Sequence, residues 1–506
     1  MDNLTAPPII RSADPAWLRR LNFDVLFAVI SWLDPLSILQ LSCSCKTFHT
    51  AIASNYLIWK KALHDIATAY CVAPHSFDGL SVDGLKRFST RPSRLIDAFS
   101  NPERPIRASA RKYVLNPGVF MTSTSTHTPH IQHLRPKLLP GGRWILSGII
   151  LDKVSVHLFC WDRSQSHPET EPLSPIAAFS WDGIKPLFGW GGWIQAQMEG
   201  VGSVILACSL LSLDQYHSHH EVLRLSWNDR GELPVIELVA RLECGPPFTH
   251  ANSQLHGNYI IINTERRILL WNWKDRLDCE LDLEGYEWAG DHGFILTAIP
   301  PCLFVMPRQG TQIFVIEIPR LHPLGSIGPH KPIRSSHVYS HQIFPASPEF
   351  LHQHVYAFDL WKPLPLRGGM AMTQSIPLGP FTDLFHLTSL HPTDAPLPTL
   401  SPSTHVNTLP LNLDLSYPDC LTMAEGVGII LLTLPEDDPE ECLRVSLHYF
   451  TENGGLENAI NRKFQISYTG EIDPTSLDLV SGTAIVTNKE ADNASYTRIV
   501  QVVSFD

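Results

Sequence analysis

The sequence predicts an α + β multidomain chain, in which a small helical N-terminal domain precedes a large all-β repeat domain. Three observations predict this class. The chain of 506 residues is too long for a single hydrophobic core. Residues 21–64 have the composition and the punctuation of short helices. From Gly141 onward, short apolar runs are separated by Gly, Asn, Asp and Pro, which is typical of strands and turns.

Composition and charge disfavour several classes of protein. Hydrophobic residues make up 44% and charged residues 17% of the chain, which is ordinary for a folded protein. The net charge is +5 for residues 1–115 and −17 for residues 116–506, so no nucleic-acid partner is expected. We interpret the basic excess of residues 86–112 as a solvated connector that docks on the acidic domain, in preference to an RNA-binding patch.

No sequence signal for a membrane, for export or for a metal is visible. The longest apolar stretches, such as residues 428–434, are far shorter than the roughly 20 residues of a membrane span. The N-terminus has no cationic segment followed by an apolar one. The ten cysteines include no CxxC pair, so neither a zinc site nor a disulfide framework is predicted. We expect a cytoplasmic and/or nuclear protein without cofactors and without a membrane partner.

Changes of composition predict the domain boundaries. Residues 1–20 are rich in proline and are expected to be a flexible arm. The helical domain is expected at 21–64, followed at 65–115 by a helical basic connector that prolines such as Pro92 interrupt. Residues 116–506 are expected to form the β-rich domain.

The strand candidates of the large domain come in pairs, and the second member often ends in Trp before a polar residue. Each pair has a hydrophobic run, a turn and a second hydrophobic run. The pairs are 143–151 with 154–161, 203–211 with 221–227, 258–263 with 266–273, 293–299 with 311–318, 428–434 with 443–450, and 482–488 with 498–505.

The spacing between successive pairs predicts a β-propeller of six to eight blades, and a pair of large β-sandwiches is the competing fold. The blade that contains Trp161–Asp162 resembles a diverged WD-type repeat. One wide gap, at about 319–425, is rich in proline and histidine and is interpreted as one or two irregular blades that carry long loops. Sixteen of the 41 prolines lie between residues 319 and 418, so the gap cannot be regular central strand throughout.

The first predicted helix has more apolar surface than its own small domain can bury. In LNFDVLFAVISWL (21–33), only Asn22, Asp24 and Ser31 are polar. At about 100° per residue, the apolar side chains cover about 240° of the helix, whereas an ordinary surface helix needs a stripe of about 100°. One face is therefore expected to hold the domain together, while the other face needs a partner.

The residues that follow complete a recognisable pattern. Asp34 and Pro35 are a good N-cap and first residue for a second helix, and Leu-rich short helices and Trp59 come after them. Residues 21–63 resemble an F-box domain, although Asn22 stands in place of the usual proline and Asp24 in place of the usual glutamate. The resemblance is carried by Leu21, Val25, Leu26, Ile30, Leu33, Asp34, Pro35, Leu36, Leu39, Leu41 and Trp59.

The resemblance implies a small N-terminal F-box that binds the Skp-type linker subunit of a cullin-based ubiquitin ligase, and through it the cullin. In the alternative, the helix packs on the chain's own β domain, and most of these side chains are core. The residues expected to contact the linker are Leu21, Val25, Leu26, Val29, Ile30, Leu33, Pro35, Leu36, Leu39, Leu41 and Trp59.

Three function classes follow. The first is the substrate-recognition subunit of an SCF-type E3 ubiquitin ligase, which binds target proteins through its β domain. The second is an F-box scaffold or interaction module without a role in degradation. The third is an enzyme, but the chain has no GxSxG, HExxH, GxxxxGK[ST] or GxGxxG motif, so no activity is predicted.

Two further groups of residues are interpreted as structural. His217, His219 and Glu221 alternate as metal ligands on a strand would, but a polar hairpin loop is the preferred interpretation. The acidic run 435–441 lacks the glycine-turned loop of a dedicated calcium site and is interpreted as a solvated loop.

The irregular segment at 319–425 is the candidate for the substrate-binding face, because long loops on a rigid scaffold often carry specificity. The alternative is an insertion that covers the edge of a blade. The sequence does not identify the protein substrate. The candidate side chains are Phe344, Tyr356, Phe358, Trp361, Phe381 and Phe385.

Overall fold

The computed structural model describes most of residues 23–324 and, beyond them, a series of strand segments. The predicted arm of residues 1–20 lies outside the described residues. The described ranges are 23–70, 72–73, 75–101, 103–118, 130–134, 136–152, 155–165, 172–186, 194–199, 203–212, 216–227, 233–246, 248, 252–264, 267–282, 294–299, 302–307, 312–318, 320–324, 338–342, 354–357, 370–379, 382–390, 411–413, 420–424, 428–433, 442–450, 456–465, 472–488 and 497–505.

Five helices occupy the N-terminal part of the described chain, and side-chain caps fix where three of them begin. The Asp34 carboxylate caps the second helix, which has Pro35 at its first position. Asn55 caps the fourth helix and Ser81 caps the fifth. The helices are α1 (Phe23–Ile30), α2 (Pro35–Ser44), α3 (Lys46–Ile52), α4 (Tyr56–Ala69) and α5 (Val82–Ser100).

Helix α5 continues through Pro92, where the sequence predicted an interruption. Proline removes one backbone donor from a helix and crowds the preceding turn. The Thr90 hydroxyl donates to the carbonyl of Lys86 at 2.9 Å, and the Ser89 hydroxyl donates to the same carbonyl at 3.1 Å. Pro92 is buried, so packing on the tertiary structure outweighs the local cost of the proline.

After α5, the described chain consists of strands with their turns and a short 3-10 helix at Arg163–Gln165. Five of the six predicted strand pairs form antiparallel neighbours. The strands are β1 (Ala108–Leu115), β2 (Ile131–His133), β3 (Lys137–Leu138), β4 (Trp144–Leu151), β5 (Ser155–Asp162), β6 (Pro175–Asp182), β7 (Ile184–Pro186), β8 (Ile194–Glu199), β9 (Ser203–Ser212), β10 (Ser218–Ser226), β11 (Val235–Cys244), β12 (Asn252–His256), β13 (Tyr259–Asn263), β14 (Arg267–Asn272), β15 (Leu277–Asp282), β16 (Phe294–Ile299), β17 (Cys302–Pro307), β18 (Gln312–Glu317), β19 (His322–Pro323), β20 (Val338–Gln342), β21 (His354–Ala357), β22 (Met370–Gly379), β23 (Thr382–Leu390), β24 (Leu411–Leu413), β25 (Cys420–Ala424), β26 (Gly428–Thr433), β27 (Cys442–Phe450), β28 (Leu456–Gln465), β29 (Ile472–Asp478), β30 (Thr483–Asn488) and β31 (Arg498–Phe505).

The described strands form seven antiparallel sheets of four or five strands. The first sheet contains β2–β6, the second β7–β11, the third β12–β15 with β19, and the fourth β16–β18 with β20. The fifth contains β21–β24, the sixth β25–β28, and the seventh β29–β31 with β1. Each sheet contacts the next along the chain, and the seventh contacts the first through β29 and β3. The seventh sheet thus joins strands from both ends of the β region.

Two predictions need correction. Residues 108–115 were expected to end the helical connector, but they form β1, which pairs with β31. The β region therefore begins before the predicted boundary at 116. In the fourth sheet, β17 lies between the two segments predicted as a pair. The segment at 319–425, which was interpreted as irregular blades with long loops, contains the strands of the fifth sheet, and the register of β22 shifts between Pro377 and Gly379.

Helix α5 belongs to two hydrophobic cores. Near its N-terminus, Leu85 packs into the core that Ile52, Ile58 and Trp59 form among the helices. Near its C-terminus, Leu95, Ile96 and Phe99 pack between the sixth and seventh sheets. The Phe99 ring centroid lies 5.7 Å from that of Phe505 in β31.

Polar contacts fasten the helices to the β region at two further points. Arg91 in α5 donates to the carbonyl of Phe505 at 2.9 Å. Arg143, which precedes β4, donates to both carboxylate oxygens of Asp162 at 2.7 and 3.0 Å and also to the carbonyl of His75. Burial raises the pKa of Asp162, but the hydrogen bonds and the charge of Arg143 outweigh it, so the net pKa is lowered. The described helices are too short or too polar to cross a membrane.

We predict that Phe99→Ala lowers the free energy of unfolding by about 3–5 kcal/mol, because it leaves a cavity between α5 and two sheets. Urea denaturation followed by tryptophan fluorescence measures this cost. The control is Val25→Ala at an exposed position, which should change the value by less than about 0.5 kcal/mol. A Phe99→Ala cost below about 1 kcal/mol would contradict the packing described here.

Candidate protein-docking site

Helix α1 has two apolar faces in different environments. Leu26 and Ile30 are buried, with 7% and 2% of their surface exposed, and they pack on Trp59 and its neighbours. Val25 and Val29 point to solvent with 52% and 50% exposed, and Trp32, just after the helix, is 89% exposed. The sequence prediction of one core face and one open face is therefore met in the structure. We call Val25, Val29 and Trp32 the open face.

Local hydrogen bonds hold the open face in place. The Asp34 carboxylate accepts from the N–H groups of Leu36 at 3.0 Å and Ser37 at 3.1 Å, which fixes the turn between α1 and α2. The buried indole of Trp59 donates to the carbonyl of Ile52 at 3.0 Å. The caps and the anchored indole of Trp59 therefore add to the hydrophobic core in fixing the helices beneath the open face.

The structure separates the residues predicted to bind the linker into three groups. Those within the chain's own core are corrected to structural roles, because a buried side chain cannot also present itself to a partner. The buried group is Leu26, Ile30, Pro35 and Trp59, the half-buried group is Leu33, Leu36, Leu39 and Leu41, and the exposed group is Val25 and Val29, while Leu21 lies outside the described residues.

Three exposed apolar side chains were not in the predicted set. Trp32 belongs to the open face, and Tyr56 and Leu57 in α4 are 47% and 60% exposed. At about 100° per residue, Trp32 lies on the same side of the helix as Val25, so its position in the sequence could have predicted that it belongs to the open face. Tyr56 and Leu57 lie in the first turn of α4, where the apolar sequence alone does not indicate which side chains face solvent.

The predicted substrate-binding residues are only partly within the described chain. Tyr356 lies in β21, opposite Thr373, and Phe385 lies in β23, opposite Ser375 and Leu411. Both are therefore strand residues of the fifth sheet and not residues of one long loop. Phe344, Phe358, Trp361 and Phe381 lie outside the described residues, and the prediction for them stays a prediction.

Of the candidate metal ligands, His217 precedes β10, whereas His219 and Glu221 lie within this strand and not in the predicted hairpin loop. Glu221 is buried, accepts from the Trp181 indole at 2.7 Å and forms an ion pair with Arg241 at 2.6 Å. Since His217 lies 3.5 Å from Glu243, it has a carboxylate neighbour of its own. Within the described ranges, no group of three His, Cys, Asp or Glu side chains is arranged to hold a metal ion. The acidic run 435–441 lies outside them.

The protein-family model of the F-box domain matches residues 18–60. This range contains α1, α2 and α3, the open face, and the start of α4. Residues 18–60 are an F-box domain. The departures at Asn22 and Asp24 do not prevent the match. The F-box covers only the N-terminal part of the chain, and no curated protein matches the sequence.

Solved structures resemble the chain only distantly. The periplasmic gluconolactonase PpgL of Pseudomonas aeruginosa is 11% identical with a TM-score of 0.38, over 66% of this chain and 85% of that one. The core factor of S. cerevisiae is 9% identical with a TM-score of 0.40, over 82% of this chain and 63% of that one. The AfRom2 CNH domain is 9% identical with a TM-score of 0.32, over 78% of this chain and 99% of that one. Likeness at this level carries no functional conclusion.

We predict opposite effects for substitutions on the two faces of α1. Leu26→Asp with Ile30→Asp should unfold the F-box, because each change buries a charge without a partner. Val29→Asp with Trp32→Asp should leave it folded, because both side chains already face water. Limited proteolysis of the full chain measures this difference. Equal resistance of the two double variants would contradict the assignment of the faces.

We predict a pH-dependent cost for Asp34→Ala. Partial burial raises the pKa of Asp34, but hydrogen bonds from Ser37 and Leu36 outweigh it and the net pKa is lowered. The carboxylate therefore stabilises the fold above its unfolded pKa, and this stabilisation is lost as the pH falls through the folded pKa.

Asp34→Ala should lower the free energy of unfolding by about 1 kcal/mol at neutral pH, and the difference from the unmodified chain should vanish in acid. Denaturation curves at several pH values measure it. The matched control is Asn55→Ala, which removes the cap of α4 and has no carboxyl group to titrate. A pH-independent cost at Asp34 would show that the charge has no part in the cap.

Proposed function

We propose that this chain is the substrate-recognition subunit of an SCF-type E3 ubiquitin ligase. The open face of α1 carries the proposal, because an F-box domain with a half-exposed valine pair and an 89% exposed tryptophan presents apolar surface that a partner must cover. The Skp-type linker subunit is the partner that an F-box typically binds. On this proposal, the buried residues of α1 support the interface from beneath.

The β region is proposed to be a seven-bladed β-propeller that binds target proteins. Its seven consecutive antiparallel sheets, the contact between the seventh and first sheets, and the pairing of β1 with β31 support this proposal. Seven lies within the predicted range of six to eight blades. We propose a binding protein without chemistry of its own, acting in the cytoplasm or nucleus, with no nucleic-acid or membrane partner.

Helix α5 supports the proposal that the F-box and the β region bind different partners. Because Leu85 and Phe99 of α5 pack in the two different cores, the F-box is held at a fixed place on the β region. A ligase subunit needs such a geometry, since ubiquitin transfer depends on where the target is held relative to the cullin.

We predict that Val29→Asp with Trp32→Asp abolishes binding to the Skp-type linker. The changes place two carboxylates where apolar surface would be buried. The free-energy cost of burying these charges exceeds the binding free energy that a small hydrophobic interface supplies. Co-purification of the full chain with the linker measures this. Leu233→Asp, at a leucine 61% exposed in the β region, is the matched control and should bind normally. Normal yield of the double variant would overturn the proposed interface.

A ubiquitination assay separates a substrate receptor from a scaffold. A ubiquitin ligase complex assembled from this chain, the linker and the cullin should modify proteins that co-purify with the β region. The Val29→Asp and Trp32→Asp variant should still co-purify with those proteins but leave them unmodified. A complex that assembles and modifies none of them indicates a scaffold without a role in degradation.

A further inference from the structure

Strand β1 forms an open edge of the seventh sheet. On one side, β1 pairs with β31 through eight residue pairs. On its other side, the described sheet has no further strand. Four consecutive residues, Ser109, Ala110, Arg111 and Lys112, are exposed. An exposed strand of this length is a template onto which another extended chain can add.

The edge already accepts extended backbone at one end. The N–H of Leu173 donates to the carbonyl of Val114 at 2.8 Å, and the N–H of Asn116 donates to the carbonyl of Leu173 at 3.1 Å. These two bonds form a parallel bridge between Leu115 and Leu173. The bridge shows which backbone groups of β1 face away from β31, because these groups alternate along a strand.

By this alternation, the N–H and C=O groups of Ala110 and Lys112 point outward with those of Val114. They lie beside no other strand in the part of the chain that the structure describes. The bridge at Leu173 therefore does not extend to Ala110 and Lys112. Their outward N–H and C=O groups can form backbone hydrogen bonds of the same kind.

The charge around this edge is positive. Arg107, Arg111 and Lys112 are exposed, and no carboxylate of the described chain forms an ion pair with them. Arg111 lies on one face of the strand and Lys112 lies on the other, since successive side chains alternate, and Arg107 immediately precedes the strand. An added strand would meet cations on both faces.

We propose that the outer edge of β1 binds an acidic, extended peptide segment of a partner protein by strand addition. The outward groups of Ala110 and Lys112 supply the backbone bonds, and carboxylates of the added strand face Arg111 and Lys112 across the ladder. This surface is distinct from the open face of α1, so the inference stands whether or not the chain binds a linker subunit.

Cations on an edge strand also protect proteins from edge-to-edge association. The cations disfavour the addition of a strand with basic or neutral side chains. They attract a strand with acidic side chains. The two roles therefore differ in what an acidic peptide does.

The test uses the full chain and a fluorescent peptide in which pairs of glutamates alternate with pairs of valines, with blocked ends, so that carboxylates lie on both faces of the added strand. Fluorescence polarisation at low ionic strength should show saturable binding that weakens as salt is added. Two control peptides should not bind: one with lysine for glutamate, and one with N-methyl groups on alternate backbone amides, which removes the bonds of strand addition.

Two variants locate the site. Ala110→Pro removes an outward N–H while the inward pairing with β31 is kept, and Arg111→Glu with Lys112→Glu reverses the charge. Each should weaken peptide binding by roughly tenfold or more. The charge-matched control, Lys46→Glu with Lys60→Glu in the F-box helices, should bind as the unmodified chain does. Thermal melting confirms that every variant is folded.

Each other outcome overturns the proposal. No binding by the folded, unmodified chain shows that the cations only protect the edge. Equal binding of the N-methylated peptide, or of Ala110→Pro, shows attraction of charges without strand addition. Binding that occurs only after Glu169→Lys with Glu171→Lys shows that the chain's own segment before Leu173 occupies the edge.

Discussion

The structure depends on one helix being shared by two hydrophobic cores. Leu85 completes the core of the N-terminal helices, while Phe99, on the same helix, packs between β27, β28 and β31. A helix of 19 residues is about 28 Å long, so it joins the two cores without a flexible joint. Arg91 and Arg143 add polar contacts at the same junction. The F-box and the β region should therefore behave as one unit.

This arrangement explains why the open face stays open. The N-terminal helices are few and short, and their core uses the inner side of α1, where Leu26 and Ile30 are buried. The part of α5 that could cover more apolar surface is already occupied by the sixth and seventh sheets. Among the residues that the structure describes, Val25, Val29 and Trp32 stay exposed, so their apolar surface is available to a partner.

The sequence predicted the helical N-terminus, the Asp34 cap and most strand pairs, because apolar runs and turn residues are local signals. It did not predict β1, since a strand with four exposed residues and two adjacent cations looks like a solvated connector. It missed β17, a short apolar run between Pro301 and Pro307 without alternation. It also assigned Leu26, Ile30 and Trp59 to the interface, because apolar character alone does not tell a core face from a docking face. Only tertiary packing decides that.

Hydrogen exchange along the chain tests the central claim most directly. If α5 is part of the β core, backbone amides around Leu95 and Phe99 should open only with those of β31, at the free energy of the whole unit. Mass spectrometry of peptides from 93–100 and 498–505 at rising denaturant measures both. Coincident exchange is the result predicted here. Rapid exchange of α5 while β31 stays protected would show that the F-box moves independently, and it would contradict this account.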